Sequence, residues 1–225
     1  MDSVEEHVRG ELARFNAGIG FDLPWSEPVS DEVIDQVADR RGLSIPEEVR
    51  VLYRIGDGGG FFHWDTPPLA ELHLIDMSMR GMVEEIMEFE YPEWTDDISM
   101  GEAPQGELLF FGGHEELNLG IELDGPATGR LVGCYGKVGQ AHSPSNLWSL
   151  VAPSISAWAS CTADMADRGL FEAHHPPGRH EPIVRLKDPF WDSERNTPVA
   201  HIEEILRAHG CGEGILGWGG TGWTG

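Results

Sequence analysis

The chain is poor in cations, in cysteine and in long apolar runs. Lysine and arginine number 15 against 39 aspartates and glutamates, a formal net charge of −24. A field of that sign repels nucleic-acid phosphates and anionic lipid, so neither is an expected partner. It attracts basic proteins and speeds their encounter. The same acidity also serves plain solubility. Three cysteines, Cys134, Cys161 and Cys211, are too few and too odd in number for a disulfide framework. Their scarcity points to a reducing, cytoplasmic compartment. The N-terminal stretch MDSVEEHVRGELARF is charged and has no apolar centre, so no signal peptide is expected. No apolar run approaches the roughly 20 residues that span a bilayer.

Several chemical signatures are missing as well. There is no GxSxG elbow, no HExxH and no Cys-x-x-Cys. GWGGTG (217–222) matches GxGxxG in form, but only three residues follow it, which leaves no room for the helix that a dinucleotide needs. GDGGG (56–60) has no lysine and hydroxyl after it. Gly136–Lys137, the one Gly-Lys pair, continues with Val138. The glycines of GDGGG therefore suit a sharp exit from a helix into a sheet better than a phosphate cradle. His174, His175 and His180, with Glu172 and Glu181, are the one crowded set of metal-type ligands. In a Pro/Gly loop such side chains rarely share one tetrahedron, and a solvated loop is the plainer reading. Cys134 and Cys161 fall on apolar faces, where cysteine acts as a small hydrophobe. No catalytic residue, metal or cofactor is expected; an enzyme or metal protein using 172–181 is the rival reading.

What is present suits an α+β chain. Its 225 residues, 40% hydrophobic, are enough for a sizeable core. Helices are expected over 3–15, with Ser3 and Glu6 at capping-box spacing and Val4, Val8, Leu12 and Phe15 on one face. A loop covers 16–29. A second helix covers 31–41, with Val33, Ile34, Val37 and Ala38 inward and Gly42 as its stop. A third opens at Pro46 and stops at Gly56, with Val49, Leu52 and Tyr53 inward. LAELHLID (69–76) and ELLFF (107–111) are expected strands, and 78–90 a helix. Leu117, Leu119, Ile121 and Leu123 alternate with Asn118, Gly120 and Glu122, the period of a strand. The turn DGPATG leads into RLVGCY (130–135) to make a hairpin. A helix over 154–168 is capped by Ser154, and Thr197 and Pro198 open a last one that stops near Gly210. Eight glycines fall in the final sixteen residues.

One charge run is distinctive. EEIMEFEYPEWTDD (84–97) holds seven acids, no base, and Tyr91 and Trp94 between them. Acids around aromatics suit a protein-binding surface, since aromatics anchor interfaces and charges steer approach. The candidate contact residues are Glu84, Glu85, Glu88, Glu93, Trp94, Asp96 and Asp97. Trp64 and Asp65, beside the glycine loop, would extend that surface. The plain alternative is an ordinary acidic face with Trp94 buried.

The assembled pattern resembles a family. In VSDEVIDQVADRRGLSIPEEVRVLYRIGDGGG (29–60) a helix leads to Leu43, Ile45 and Pro46, then a short apolar helix and a glycine-rich stop. This resembles the N-terminal signature of the SUKH superfamily, which includes yeast Smi/Knr-type cell-wall regulators and many bacterial immunity proteins. The family usually has Leu-Pro at Ile45–Pro46, and Asn-Gly-Gly at Gly58–Gly59–Gly60. LLFFGGHEELNLGIELDGPATGRLVGCY (108–135) is similar to its central strands, with the hairpin turn at Asp124 and Gly129. VAPSISAWAS (151–160) is similar to its closing helix, with Trp158 inward.

The resemblance covers residues 28–170, leaving 1–27 as an N-terminal helix and loop and 171–225 as a C-terminal extension. It implies a mostly antiparallel sheet flanked by helices and no catalytic residues. It also implies an immunity protein that binds and neutralises a bacterial toxin domain, often a nuclease, whose basic face an acidic protein can occupy. A regulatory scaffold of the cell-wall-regulator type is the alternative.

Overall fold

The computed structural model describes residues 4–23, 26–62, 64–75, 107–114, 117–135, 148–174, 183–187, 189–192 and 197–216. Three helices come first: α1 (Val4–Ile19), α2 (Asp31–Arg41) and α3 (Glu47–Ile55). Seven short strands follow: β1 (Gly59–Phe61), β2 (Trp64–Thr66), β3 (His73–Ile75), β4 (Leu108–His114), β5 (Leu117–Glu122), β6 (Leu131–Tyr135) and β7 (Trp148–Ala152). Then come α4 (Ile155–Asp167), the strands β8 (Phe171–His174), β9 (Ile183–Leu186), β10 (Trp191–Asp192) and β11 (Thr197–Pro198), and α5 (Ala200–His209).

The first seven strands form one sheet in the order β1-β2-β4-β5-β6-β7, with β3 also paired to β4. Every pairing in it is antiparallel. β8 with β9, and β10 with β11, make separate two-stranded ladders. The expected α+β class, a mostly antiparallel sheet flanked by helices, is therefore what the chain forms.

Helix α1 buries Val8, Leu12 and Phe15, as their spacing requires. It runs on past the expected end at 15. Gly18 does not break it, because its role is close approach: a Cβ there would lie 2.8 Å from the backbone of Ala166 in α4. Helix α2 has its expected bounds but a narrower apolar face. Ile34 and Ala38 are buried, whereas Val33 is 45% exposed.

The GDGGG stretch carries α3 into β1. Gly56 is extended, with φ −172°. The left-handed positions are Gly58 and Gly59, at φ 81° and 118°. A Cβ on Gly58 would sit 2.9 Å from Pro68 N and Thr66 O, so the turn lies against the strand that follows it. Asp57 fixes that turn: its carboxylate accepts from Leu69 N at 2.6 Å. The strand expected over 69–76 starts late: Leu69–Glu71 is a 3-10 turn, and His73–Ile75 is its extended part among the described residues.

Two bulges tune the sheet. Between Phe110 and Gly112, and between Leu131 and Val132 opposite β7, the register shifts by one. The extra residues are Phe111 and Val151, both fully buried. Each bulge thus turns one more apolar side chain into the core. There Phe15, Phe62, Phe111, Phe171 and Trp158 meet edge to face, with centroids 5.0–6.5 Å apart. Such pairs add about 0.5–1.5 kcal/mol each beyond the area they bury. The cluster also includes Ile202, Ile205 and Leu206 of α5 and Ile215 and Leu216 after it. The last expected helix begins at Ala200, because Thr197 and Pro198 pair with β10 instead.

Helix α4 is buried on most sides and held at its N-terminus twice. Ser154 accepts from Ala157 N at 3.1 Å, the expected cap. Glu48, from α3, accepts from Ile155 N at 2.8 Å. A carboxylate there satisfies an orphan N–H and meets the positive end of the helix dipole.

Candidate functional site

The acidic run from Glu84 to Asp97, with Glu84, Glu85, Glu88, Glu93, Trp94, Asp96 and Asp97, lies outside the described residues, as does the expected helix over 78–90. Trp64 and Asp65 lie on β2, where Asp65 pairs with Gly60 on one side and Gly113 on the other. Of the 172–181 cluster, Glu172 is committed to Arg185, whose Nε donates to it at 2.8 Å across the β8–β9 ladder. His175, His180 and Glu181 lie outside the described residues. Among the described residues, no group of three His, Cys, Asp or Glu side chains is placed to hold a metal.

The electrostatics of the described surface follow from where its arginines go. Arg54 on α3 reaches Glu5 of α1, Asp31 of α2 and Glu47 of its own helix. Arg50 reaches Asp35 at 2.6 Å. Arg14 donates to Asp164 at 2.6 Å and also to Asp167, tying α1 to α4. These two carboxylates hold the Arg14 guanidinium even more firmly protonated than usual. Partial burial works against ionisation of Asp164, yet hydrogen bonds from Arg14 and His209 outweigh it and hold its pKa below the usual aspartate range. Arg9, Arg130, Arg168 and Arg185 are likewise paired with Glu5, Glu122, Glu204 and Glu172. The exposed pairs among these contribute only about 0–1 kcal/mol each; Arg130–Glu122 is buried and is not one of them. Their larger consequence is that these arginines are already spent on internal partners.

One trio has the outline of a nucleophilic site. Ser160 Oγ lies 3.0 Å from His7 Nε2, and His7 Nδ1 lies 4.0 Å from Glu11. The rest of the machinery does not accompany it. Ser160 is in the middle of α4, where backbone N–H groups are committed to the helix and none is free to stabilise an oxyanion. The same Nε2 is 3.4 Å from the Ser156 carbonyl. As a donor to that carbonyl it holds a proton and cannot accept one from Ser160. Glu11 is turned to Arg14. This arrangement suits a polar seam between two packed helices.

Cys161 and Cys211 are both buried and free. A hydrogen bond between the two thiols, together with burial, pushes the Cys161 pKa far up. Such a thiol is a poor nucleophile.

An open groove of about 880 Å³ lies between α1, the loop that follows it, and the end of α3. Its walls are apolar: Leu12, Ala13, Ala17, Phe21, Pro28 and Ile55. Its polar lining includes Asn16, Asp22 and Glu27, with Arg9 at one end. Arg9 is held by Glu5 and by the Arg54 carbonyl, at 3.0 Å each. The groove leaves no contiguous trace in the sequence, because its walls come from three separated segments. The available signal was Asn16, a polar amide next to the Val8–Leu12–Phe15 stripe.

No helix among the described residues is long and apolar enough to cross a membrane. No model of a known family matches the chain, and no curated protein matches it.

Proposed function

We propose that this chain is a protein-binding module of the SUKH type, an immunity protein that neutralises a bacterial toxin domain by occupying a basic face of it. The observation that carries the reading is charge left over after internal pairing. The chain has 39 acids against 15 cations. Seven arginines, Arg9, Arg14, Arg50, Arg54, Arg130, Arg168 and Arg185, are already bound to its own carboxylates. The chain's own cations cannot neutralise the remaining acids, and that surplus is available to a basic partner. The order of elements supports the reading too: a helix pair, a glycine turn, an antiparallel sheet and a closing helix follow one another as the resemblance implies. In this proposal Glu84, Glu85, Glu88, Glu93, Trp94, Asp96 and Asp97 supply the main contact, with Trp64 and Asp65 beside them. The partner is protein, and no cofactor takes part.

The test is to look for a toxin domain encoded beside this gene and to co-express the two. Restored growth, and a complex with the purified domain, are the expected results. Unrelieved toxicity with no complex contradicts the proposal.

A further inference from the structure

We infer that Cys161 and Cys211 are a redox pair, which a peroxide joins in a disulfide that pins the C-terminal segment to α4. The inference stands independently of the proposed function. Cys161 lies midway along α4, and Cys211 directly follows Gly210, the left-handed residue that ends α5. Packing of the C-terminal part on α4 brings the two together across about 50 residues of chain.

Three observations converge. The first is place. Cys211 Sγ donates to the Ala157 carbonyl at 3.8 Å. Ala157 is one helical turn before Cys161, and a helical side chain leans over the turn that precedes it. The Cys161 thiol is thus directed to the spot where Cys211 Sγ rests, and the two thiols are hydrogen-bonded to each other. The second is chemical state. Both thiols are free, and among the described residues no third ligand joins them to hold a metal. The third is what Cys211 belongs to. Cys211 N donates to the Leu206 carbonyl at 2.9 Å, and Gly212 N to the Val151 carbonyl at 3.2 Å. A Cβ on Gly212 would collide with the Leu150 carbonyl, and Ile215 and Leu216 beyond it are buried. The residues after Cys211 therefore lie directly on β7, and a cross-link at Cys211 would hold that cover against α4.

Exposure fixes the order of events. Cys161 is fully buried, whereas Cys211 keeps 9% of its surface. Cys211 also follows a helix end, where local opening requires least energy. Cys211 Sγ attacks one peroxide oxygen, the O–O bond breaks, and the thiol proton leaves with the other oxygen as water. Cys161 Sγ then attacks Cys211 Sγ, the S–O bond breaks, and the Cys161 proton leaves with that oxygen as a second water. The two thiols lose two electrons together, and one hydrogen peroxide is reduced to two waters. The second attack needs no access from solvent. Cys161 is a poor nucleophile toward a free oxidant, but here its target is the neighbour it already touches.

The test uses the full chain with Cys134→Ser, which leaves these two thiols alone. The parent chain, mapped in the same way, carries the test if that variant fails to fold. The reduced protein is treated with hydrogen peroxide under native conditions, beside a cysteine peptide that reports the oxidant is active, and its peptides are mapped by mass. The expected result is loss of two hydrogens and one linked pair of peptides holding Cys161 and Cys211. The linked chain should melt about 5 °C or more higher, since a loop of about 50 residues is closed, and dithiothreitol should reverse the gain. In Cys161→Ala, Cys211 should gain oxygen and the melt should not rise. In Cys211→Ala, Cys161 should stay reduced, because its route to oxidation runs through its neighbour. Oxygen added to either thiol of the starting chain without linked peptides overturns the pair. Survival of both thiols while the reporter peptide is oxidised overturns it too. A linked chain that melts lower than the reduced one overturns the pin.

Discussion

At the scale of single residues, Glu122 shows how charge is tolerated inside this protein. It is 1% exposed and takes two bonds from Arg130, at 2.7 and 3.2 Å. Its alternation with Ile121 gives it the look of a solvent-facing position. The sheet, however, is closed on that face too, since Leu108, opposite Glu122 on β4, and Val132, opposite Gly120 on β6, are fully buried. Removing one partner of a buried pair leaves an uncompensated charge. Arg130→Met is therefore expected to cost about 3–5 kcal/mol by urea unfolding, and Glu122→Leu/Arg130→Met markedly less. A small loss in the single variant would show that water reaches Glu122.

Glycines give a second comparison at this scale. Gly58 and Gly125 share a left-handed backbone, at φ 81° and 82°. Only Gly58 has backbone within 3 Å of a built Cβ; Gly125 faces open space. Alanine at 125 should cost about 1–2 kcal/mol, the left-handed penalty alone. Alanine at 58 adds a backbone clash and should cost clearly more. Equal losses would contradict the tight turn.

At the scale of elements, α4 organises the molecule, and its anchors are polar. Ser154 and Glu48 hold its N-terminus, while Asp164 near its C-terminal end receives Arg14 from α1 and His209 from α5. Because the folded pKa of Asp164 is depressed, the unfolded state binds the proton more readily. The contribution of these bonds is thus present above the ordinary aspartate range, near about 3.9, and is lost as pH falls through the lower folded value. Thermal melts of Asp164→Asn and the parent chain should differ at pH 7 and converge in strong acid. A gap that persists or widens in acid would contradict this assignment.

The helices α2 and α4, the β4 strand and the β5–β6 hairpin were legible in the sequence, because each has caps or a period long enough to register. The β1–β2 hairpin was not. Its strands have three residues each, and β1 is Gly-Gly-Phe, which has no alternation. The cap given by Glu48 was hidden for another reason: it serves a helix 107 residues away. The groove was hidden likewise, since packing of α1 on α3 brings Leu12 and Ile55 together.

At the scale of the whole molecule, the two ends of the chain share one core. Val8 and Phe15 from α1 join Ile202, Ile205 and Ile215 from the C-terminal part in one cluster. The segment after α5 also lines β7, where Gly212 N donates to the Val151 carbonyl at 3.2 Å. It covers a sheet edge that would otherwise be open to pairing. Removal of residues 200–225 should abolish cooperative unfolding, read as a broad melt and dye binding by exposed apolar surface. A sharp two-state transition in the truncated chain would show that the extension is dispensable.

The protein's action, in this account, is to present unspent negative charge to a basic protein. The most direct measurement is the association rate of the whole chain with a toxin domain that it neutralises on co-expression, across ionic strength from about 20 to about 300 mM. The rate should fall steeply with salt, and it should fall at low salt when Glu84, Glu85 and Glu88 are reversed to lysine. A rate indifferent to both salt and charge reversal would contradict the account.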